Sequence, residues 1–420
     1  MRSLALAIPL LVACTTSSPN PPPPPPPPPN PASLQMNDLS VMFPLATTEA
    51  DFDLYLAASS PGANGPLLPE ALYQQDESSL LVYDNLRVVG MRLDPCFANI
   101  GPITDPSKCD NQIRLVFQQL DFEDDITGAE DGGVHVLYSL TRDQLVAAAN
   151  EIAAARQASS DADLGPLAVH PLIASQGLSG AFAQALVGII QKYADGTKIE
   201  RITTFSVDAE VGGGGPVPTN AIVMGSGGDG SGSGITLPEE GLSWDFHGNS
   251  VAASVETPLV IASLPDNTTD MFLLAATMPL GSTFSPVTTS TDNITTLADS
   301  TDAGSASQAQ RQAGFDSALR IENPNDESPN TIDCVSCHMA EPARVLVGQQ
   351  MLGMSSSSDA NAFAAASSIP AADLAVTAPM LVGSDGGLNI HAFSYRETTP
   401  IINQRVINET AANVAYLNSL

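Results

Sequence analysis

Three residues of the chain have types and spacing that could do chemistry. They are Cys334, Cys337 and His338, in the segment CVSCH. Two thiols separated by two residues can add to the two vinyl groups of a haem, and a histidine directly after the second thiol can then bind the iron. The same thiols could instead form a disulfide or a redox-active dithiol, or supply half of a zinc site.

The surrounding sequence favours haem attachment. No second CxxC and no HxxxH occurs in the chain to complete a tetrahedral zinc site. A thioredoxin-like dithiol needs its motif between a strand and a helix, whereas the preceding residues, NPNDESPNTID, are typical of a loop. The segment resembles the attachment motif of c-type cytochromes. This resemblance implies one covalent haem c, attached through Cys334 and Cys337, with His338 as the proximal iron ligand.

A haem that only transfers electrons normally has a second axial ligand from the protein. Met380, in APMLVG, lies 42 residues after His338, a spacing similar to that of class I cytochromes c, and His391, in NIHAFSY, is its rival. Methionine opposite histidine would give a higher potential than two histidines. An open sixth position would allow small-ligand or peroxide chemistry, so an enzyme with open haem iron or a redox dithiol stays an alternative to an electron carrier.

The first 14 residues, MRSLALAIPLLVAC, combine one basic residue, a short apolar run and a cysteine after a small residue. The apolar run is too short to span a bilayer. Its end, LVAC, resembles the lipobox of bacterial lipoproteins. The resemblance implies cleavage before Cys14 and acylation of that residue, and Thr15 in the next position favours the outer membrane. The alternative is an ordinary secretory signal with a free Cys14.

Nine consecutive prolines, Pro21 to Pro29, follow the predicted anchor. A polyproline II run of this length spans roughly 28 Å without collapsing. We therefore interpret residues 15–38 as a stiff spacer between a membrane surface and a folded body. Recognition by a proline-binding domain is the alternative.

The remaining cysteines, Cys96 and Cys109, bracket the Gly/Pro-rich segment FANIGPITDPSK. An exported chain meets oxidising conditions, and a disulfide closing a loop of this size stabilises by about 3 kcal/mol. We expect Cys96 and Cys109 to form a structural disulfide. If the CVSCH pair also closes, the chain would be a structural or interaction lipoprotein with two disulfides and no haem.

The formal net charge of -31 arises largely because bases are scarce, with only three lysines. Such a charge repels phosphate-rich partners, which argues against nucleic acid as a ligand. Attraction of a basic redox partner protein is one interpretation. A solvated acidic surface without a partner is the other.

Hydrophobic patterning predicts an α+β multidomain protein. The pattern predicts strands at residues 39–46, 79–93, 112–122 and 198–208. It predicts helices at 178–193, at 306–321 and at the C-terminus. A further helix is predicted to begin after Thr141, with Thr141 as its N-cap. Trp244 and the histidines at 135, 170 and 247 read as core residues.

Changes in composition divide the chain. The predicted parts are the signal with its lipidation cysteine at 1–14, the spacer at 15–38, an α/β or α+β domain at 39–210, a Gly-rich linker or loops at 211–234, a β-rich region at 235–300, and a small, mostly helical domain at 301–420. A helix, CxxCH and a terminal helix in the last part are similar to a class I cytochrome c domain. In that family the motif closes the first helix, whereas a loop intervenes here.

Overall fold

The structure, a computed structural model, describes only part of the chain. The described residues are 33–75, 81–95, 110–123, 126–130, 132–160, 162–208, 221–224, 242–258, 271–275, 306–328, 332, 337–338, 340–341, 344, 352–353, 363–375 and 391–420. Ala32–Leu420 forms one compact unit. The predictions for Cys14, Cys96, Cys109, Cys334, Met380 and the proline run lie outside the described residues, and so do the domain boundaries predicted near 210, 234 and 300. Residues 33–38, the end of the predicted spacer, are described, and Leu34, Met36 and Asp38 are buried in the compact unit.

The described part of the chain contains both strands and helices. The strands are β1 Ser40–Met42, β2 Pro61–Gly62, β3 Gly65–Pro66, β4 Leu86–Asp94, β5 Asn111–Glu123, β6 Ile126–Ala129, β7 Gly132–Leu140, β8 Ile199–Asp208, β9 Ala221–Met224, β10 Leu242–Ala252, β11 Val255–Pro258, β12 Met271–Ala275, β13 Phe393–Arg396 and β14 Thr399–Ile402. The helices are α1 Met36–Leu39, α2 Glu49–Phe52, α3 Glu70–Tyr73, α4 Arg142–Ser159, α5 Pro171–Gln176, α6 Ala181–Tyr193, α7 Gln308–Glu322 and α8 Gln404–Leu417.

One large sheet organises this unit. In the described part of the chain its strands follow the order β1-β4-β5-β7-β8-β10-β12-β9, with β6 added to β5 and β11 to β10. All pairs are antiparallel except β12 with β9. The fold class is therefore α+β, not a parallel α/β sheet. Strand β9 lies within residues 211–234, where only linker or loops had been expected.

The two faces of the sheet bury different side chains, as the alternation along β7 shows. Val134, Val136 and Tyr138 belong to the main apolar core. Helix α4 packs against β5 and β7. His135 and Leu137 point to the opposite face, because successive side chains of a strand alternate, and there they line a pocket.

Helix α4 begins where the sequence predicted. The hydroxyl of Thr141 accepts a hydrogen bond from the backbone N–H of Gln144, whose side chain in turn accepts from the Thr141 N–H, so a capping box closes the first turn. Leu145, Ala148 and Ile152 follow at helical spacing and are buried. This face covers the sheet on the side away from the pocket.

The C-terminal residues cover the pocket side of the sheet. Strand β13 packs against β4 and β5, and α8 contacts α1 and α7. The Gln118 side chain on β5 donates to the backbone oxygen of Tyr395 on β13, and the Ser40 and Thr410 hydroxyls share a 2.6 Å hydrogen bond. The helices predicted near 306–321 and at the C-terminus are confirmed, but a separate small cytochrome c-like domain is not.

Among the described helices, none is long and apolar enough to cross a membrane.

Candidate functional site

The second half of the CVSCH motif is described, and it is helical. Cys337 and His338 are helical, as are residues 340, 341 and 344. The Cys337 thiol is free and half-buried, and the His338 imidazole is buried. Burial raises the pKa of the Cys337 thiol, although Arg405 nearby acts in the opposite direction.

Two buried carboxylates hold this stretch against the C-terminal helices. Glu322, at the end of α7, pairs with the Nε atom of Arg344 at 2.7 Å. Glu341 accepts a hydrogen bond from the backbone N–H of Gln404, the first residue of α8. Burial and the neighbouring Glu322 raise the pKa of Glu341 to about 7. The motif is thus fixed to both α7 and α8.

Cys337 and His338 line a pocket between the sheet and α8. The pocket holds about 850 Å³ of space free of atoms, part of it open to solvent. Strands β7, β8 and β10 form one wall, and Phe393 of β13 with the first turns of α8 forms another.

Two phenylalanines form the apolar surface against which His338 lies. The ring centroid of His338 is 5.0 Å from that of Phe205 on β8 and 5.3 Å from that of Phe246 on β10. Phe205 and Phe246 are opposite residues of the two strands and stack at 6.0 Å. Cross-strand register therefore places both rings on the pocket face.

Two further histidines lie close to this aromatic cluster. The His135 ring, from β7, is 6.4 Å from the His338 ring and also lines the pocket. His391 is buried, its ring packs edge-on against Phe205 at 5.4 Å, and its Nδ1 atom is 2.7 Å from the Ser394 hydroxyl. Burial, Arg114 and His338 together hold the pKa of His135 well below its usual range, so its imidazole is neutral.

Arginines form the polar side of the pocket. One cross-strand row runs from Arg92 on β4 through Arg114 on β5 and Leu137 on β7 to Arg201 on β8. We call its three arginines the arginine row. Arg405 of α8 faces them across the pocket. The row is in place because each register pairing puts the side chains on one face.

Two carboxylates bind these arginines. Asp94 is 3.3 Å from Arg92 and 2.8 Å from Arg114, and Glu409 is 2.9 Å from Arg92 and 2.5 Å from Arg405. Each arginine that meets an acid is mostly buried, with Arg92 only 3% and Arg114 12% exposed at the side chain. The acids therefore fix the positions of the guanidinium groups in the wall of the pocket.

The structure brings together part of the predicted site. Cys337 and His338 share the pocket, and His391 lies across Phe205 from His338. Cys334 and Met380 lie outside the described residues. The sequence analysis assigned His135 to the core and missed the arginine row, because only strand register reveals that residues so far apart in the chain are neighbours. His170 is a core residue as predicted, stacked on Phe182 at 4.4 Å.

The described residues contain no group of three or more His, Cys, Asp and Glu side chains placed to hold a metal ion.

Comparison with protein-family models, with curated protein sequences and with solved structures finds no match.

The residues of the pocket fit a haem. An imidazole next to a thiol supplies an axial ligand and an attachment point, and two phenylalanines supply a flat apolar surface. The Nε atoms of Arg92 and Arg114 are buried and have no hydrogen-bond partner among the described residues. Orphaned cationic donors of this kind suit the carboxylates of a haem edge.

Proposed function

We propose that the chain is a lipid-anchored, monohaem c-type protein that transfers electrons in the bacterial cell envelope. Its motif and its lipobox resemble those of c-type cytochromes and outer-membrane lipoproteins. The observation that carries the proposal is the position of Cys337 and His338, side by side on a pocket walled by Phe205 and Phe246.

In this proposal each motif residue has one role. Cys334 and Cys337 attach the haem covalently, and His338 binds the iron. The haem supplies one-electron transfer. Phe205 and Phe246 exclude water from the His338 side, which lowers the local dielectric and thereby tunes the potential.

The sixth ligand is proposed from Met380 and His391. Support for His391 comes from its Nδ1 contact with Ser394, the type of contact that orients ligating histidines. The position of His135 in the same pocket as His338 adds a third candidate.

The location and partners belong to the same proposal. Acylation of Cys14 would anchor the chain in the bilayer, and the proline run Pro21 to Pro29 would hold the haem-bearing unit away from it. The net charge of -31 suits a basic redox partner protein and disfavours nucleic acid.

A pyridine haemochrome spectrum tests the proposal. The chain is produced with intact haem-maturation machinery and purified from the envelope. We expect an α-band typical of haem c, and we expect Cys334→Ala/Cys337→Ala to abolish it because the thioether bonds cannot form.

The matched control removes the other cysteine pair. Cys96→Ala/Cys109→Ala should keep the α-band and lose only stability, by about 3 kcal/mol. A spectrum without any haem band from the unchanged chain would refute the proposal. That result would favour the alternative, a structural or interaction lipoprotein without haem.

A further inference from the structure

We propose that the arginine row, Arg92, Arg114 and Arg201, is a carboxylate-binding site for the two propionates of the haem. This inference rests on the proposed function. The arginine row lies outside the CVSCH motif, and in this proposal the propionate edge of the haem faces the row.

The first argument is charge. The charged residues that line the pocket are four arginines and one glutamate, while the whole chain has only 15 basic residues and a net charge of -31. A concentration of positive charge in so acidic a protein calls for an anionic ligand, because the remaining surface repels anions. A propionate pair brings two negative charges to one edge of a flat ligand.

The second argument is unfavourable pairing inside the row. Arg92 and Arg114 are directly opposite each other on β4 and β5, and like charges in that relation repel. Asp94 and Glu409 offset part of this repulsion through the ion pairs described above. Three arginines, Arg92, Arg114 and Arg405, share these two acids, so an excess of positive charge faces the pocket.

The third argument is the orphaned donors. The Nε atoms of Arg92 and Arg114 are inaccessible to water and have no hydrogen-bond partner among the described residues. Both side chains line the pocket, and Arg92 is almost completely buried. A buried N–H donor without a partner costs free energy, and a shift of either side chain that turned its Nε–H toward the pocket would let a propionate oxygen accept from it.

The position of the motif decides which anion is bound. Cys337 and His338 line the same pocket as the row, so a haem held by these two residues would have its remaining edge inside the pocket. A free carboxylate or inorganic anion would meet the same arginines. Such an anion would however bind whether or not haem is attached, and its binding would not change the midpoint potential of the haem iron.

The experiment compares Arg114→Gln with the unchanged holoprotein, both carrying haem c. Arg114 is chosen because it is less buried than Arg92. The midpoint potential is measured by spectroelectrochemistry, and the propionate bending band by resonance Raman. We expect Arg114→Gln to lower the potential, since loss of a neighbouring cation favours the ferric state, and to shift the propionate band.

Two variants separate charge from structure. Arg114→Lys keeps the positive charge and should keep a potential close to that of the unchanged protein. Arg142→Gln removes an equal charge from an exposed position at the start of α4 and should change neither readout. If Arg114→Gln fails to fold, Arg201→Gln at the more exposed end of the row takes its place, with the same expected decrease.

The failures are distinguishable. Haem c with unaltered potential and unaltered propionate band in both Arg114→Gln and Arg201→Gln would overturn the propionate site and leave the proposed function standing. Absence of haem c from the unchanged protein would overturn both. A lower potential in Arg114→Gln together with an equal decrease in Arg142→Gln would also overturn the inference, because the effect would then be one of net charge alone.

Discussion

At the scale of single residues, Glu409 is the carboxylate on which the pocket depends. It joins Arg92 of the sheet to Arg405 of α8. Burial alone would raise the pKa of Glu409, but Arg405 and Arg92 together lower it to about 2. A carboxyl group with a lowered pKa in the folded state stabilises the protein above its unfolded-state pKa, and this stabilisation is lost as pH falls through the folded-state value.

We expect Glu409→Gln to reduce the free energy of unfolding by about 3 kcal/mol at neutral pH, because a shift of this size corresponds to that energy. The difference between variant and unchanged protein should shrink as the pH falls from about 4.5 to about 2, since the glutamate itself then becomes neutral. Urea unfolding across this range measures it. Glu70→Gln, at an exposed glutamate of α3, is the control and should change stability by less than about 0.5 kcal/mol. An equal loss at neutral and acid pH would contradict this account.

At the scale of elements, Gly90 determines how closely β13 lies on the sheet. A Cβ atom at Gly90 would be 2.8 Å from the ring of Phe393, which is buried. The same phenylalanine lines the pocket beside His338. The glycine is therefore needed for a close approach between strand β4 and the hairpin β13–β14.

We expect Gly90→Ala to destabilise the protein by about 1–3 kcal/mol through overpacking. Gly188→Ala is the matched control, because Gly188 lies at an exposed position inside α6 and a Cβ there meets no atom within 4 Å. It should stabilise the protein by about 0.5–1 kcal/mol, since glycine is a poor helix former. Thermal unfolding of the two variants measures both effects. If the melting temperature of Gly90→Ala rose as that of Gly188→Ala is expected to, the Phe393 ring would have moved aside, and the overpacking account would be contradicted.

The elements also show what could be predicted from sequence. The start of α4 at Thr141 and the strand Ile199–Asp208 were predicted because capping and alternation are local signals. The hairpin β13–β14 was not predicted, since each strand has four residues and gains its order from contact with β4 and β5. The arginine row depends on register between distant strands, which no local pattern specifies.

At the scale of the whole molecule, the N-terminal and C-terminal residues belong to one packed body. The backbone N–H of Leu34 donates to the Asn418 side chain at 2.9 Å, and that side chain donates back to the Leu34 carbonyl. The Ser40–Thr410 and Arg92–Glu409 contacts join the same regions. A haem held by Cys337 and His338, as proposed, would lie against the sheet as well as against α8.

We therefore expect the proposed haem pocket and the sheet to unfold together. Trp244 is the only tryptophan and lies in β10, so its fluorescence reports on the sheet, while Soret absorbance reports on the haem and far-UV circular dichroism on both. In urea the three signals should give one midpoint, because contacts across the pocket make unfolding cooperative. The division into separate domains that composition predicts would instead give a Soret transition at its own midpoint. Noncoincident curves would thus contradict a haem site shared between sheet and C-terminal helices and favour an independent haem domain.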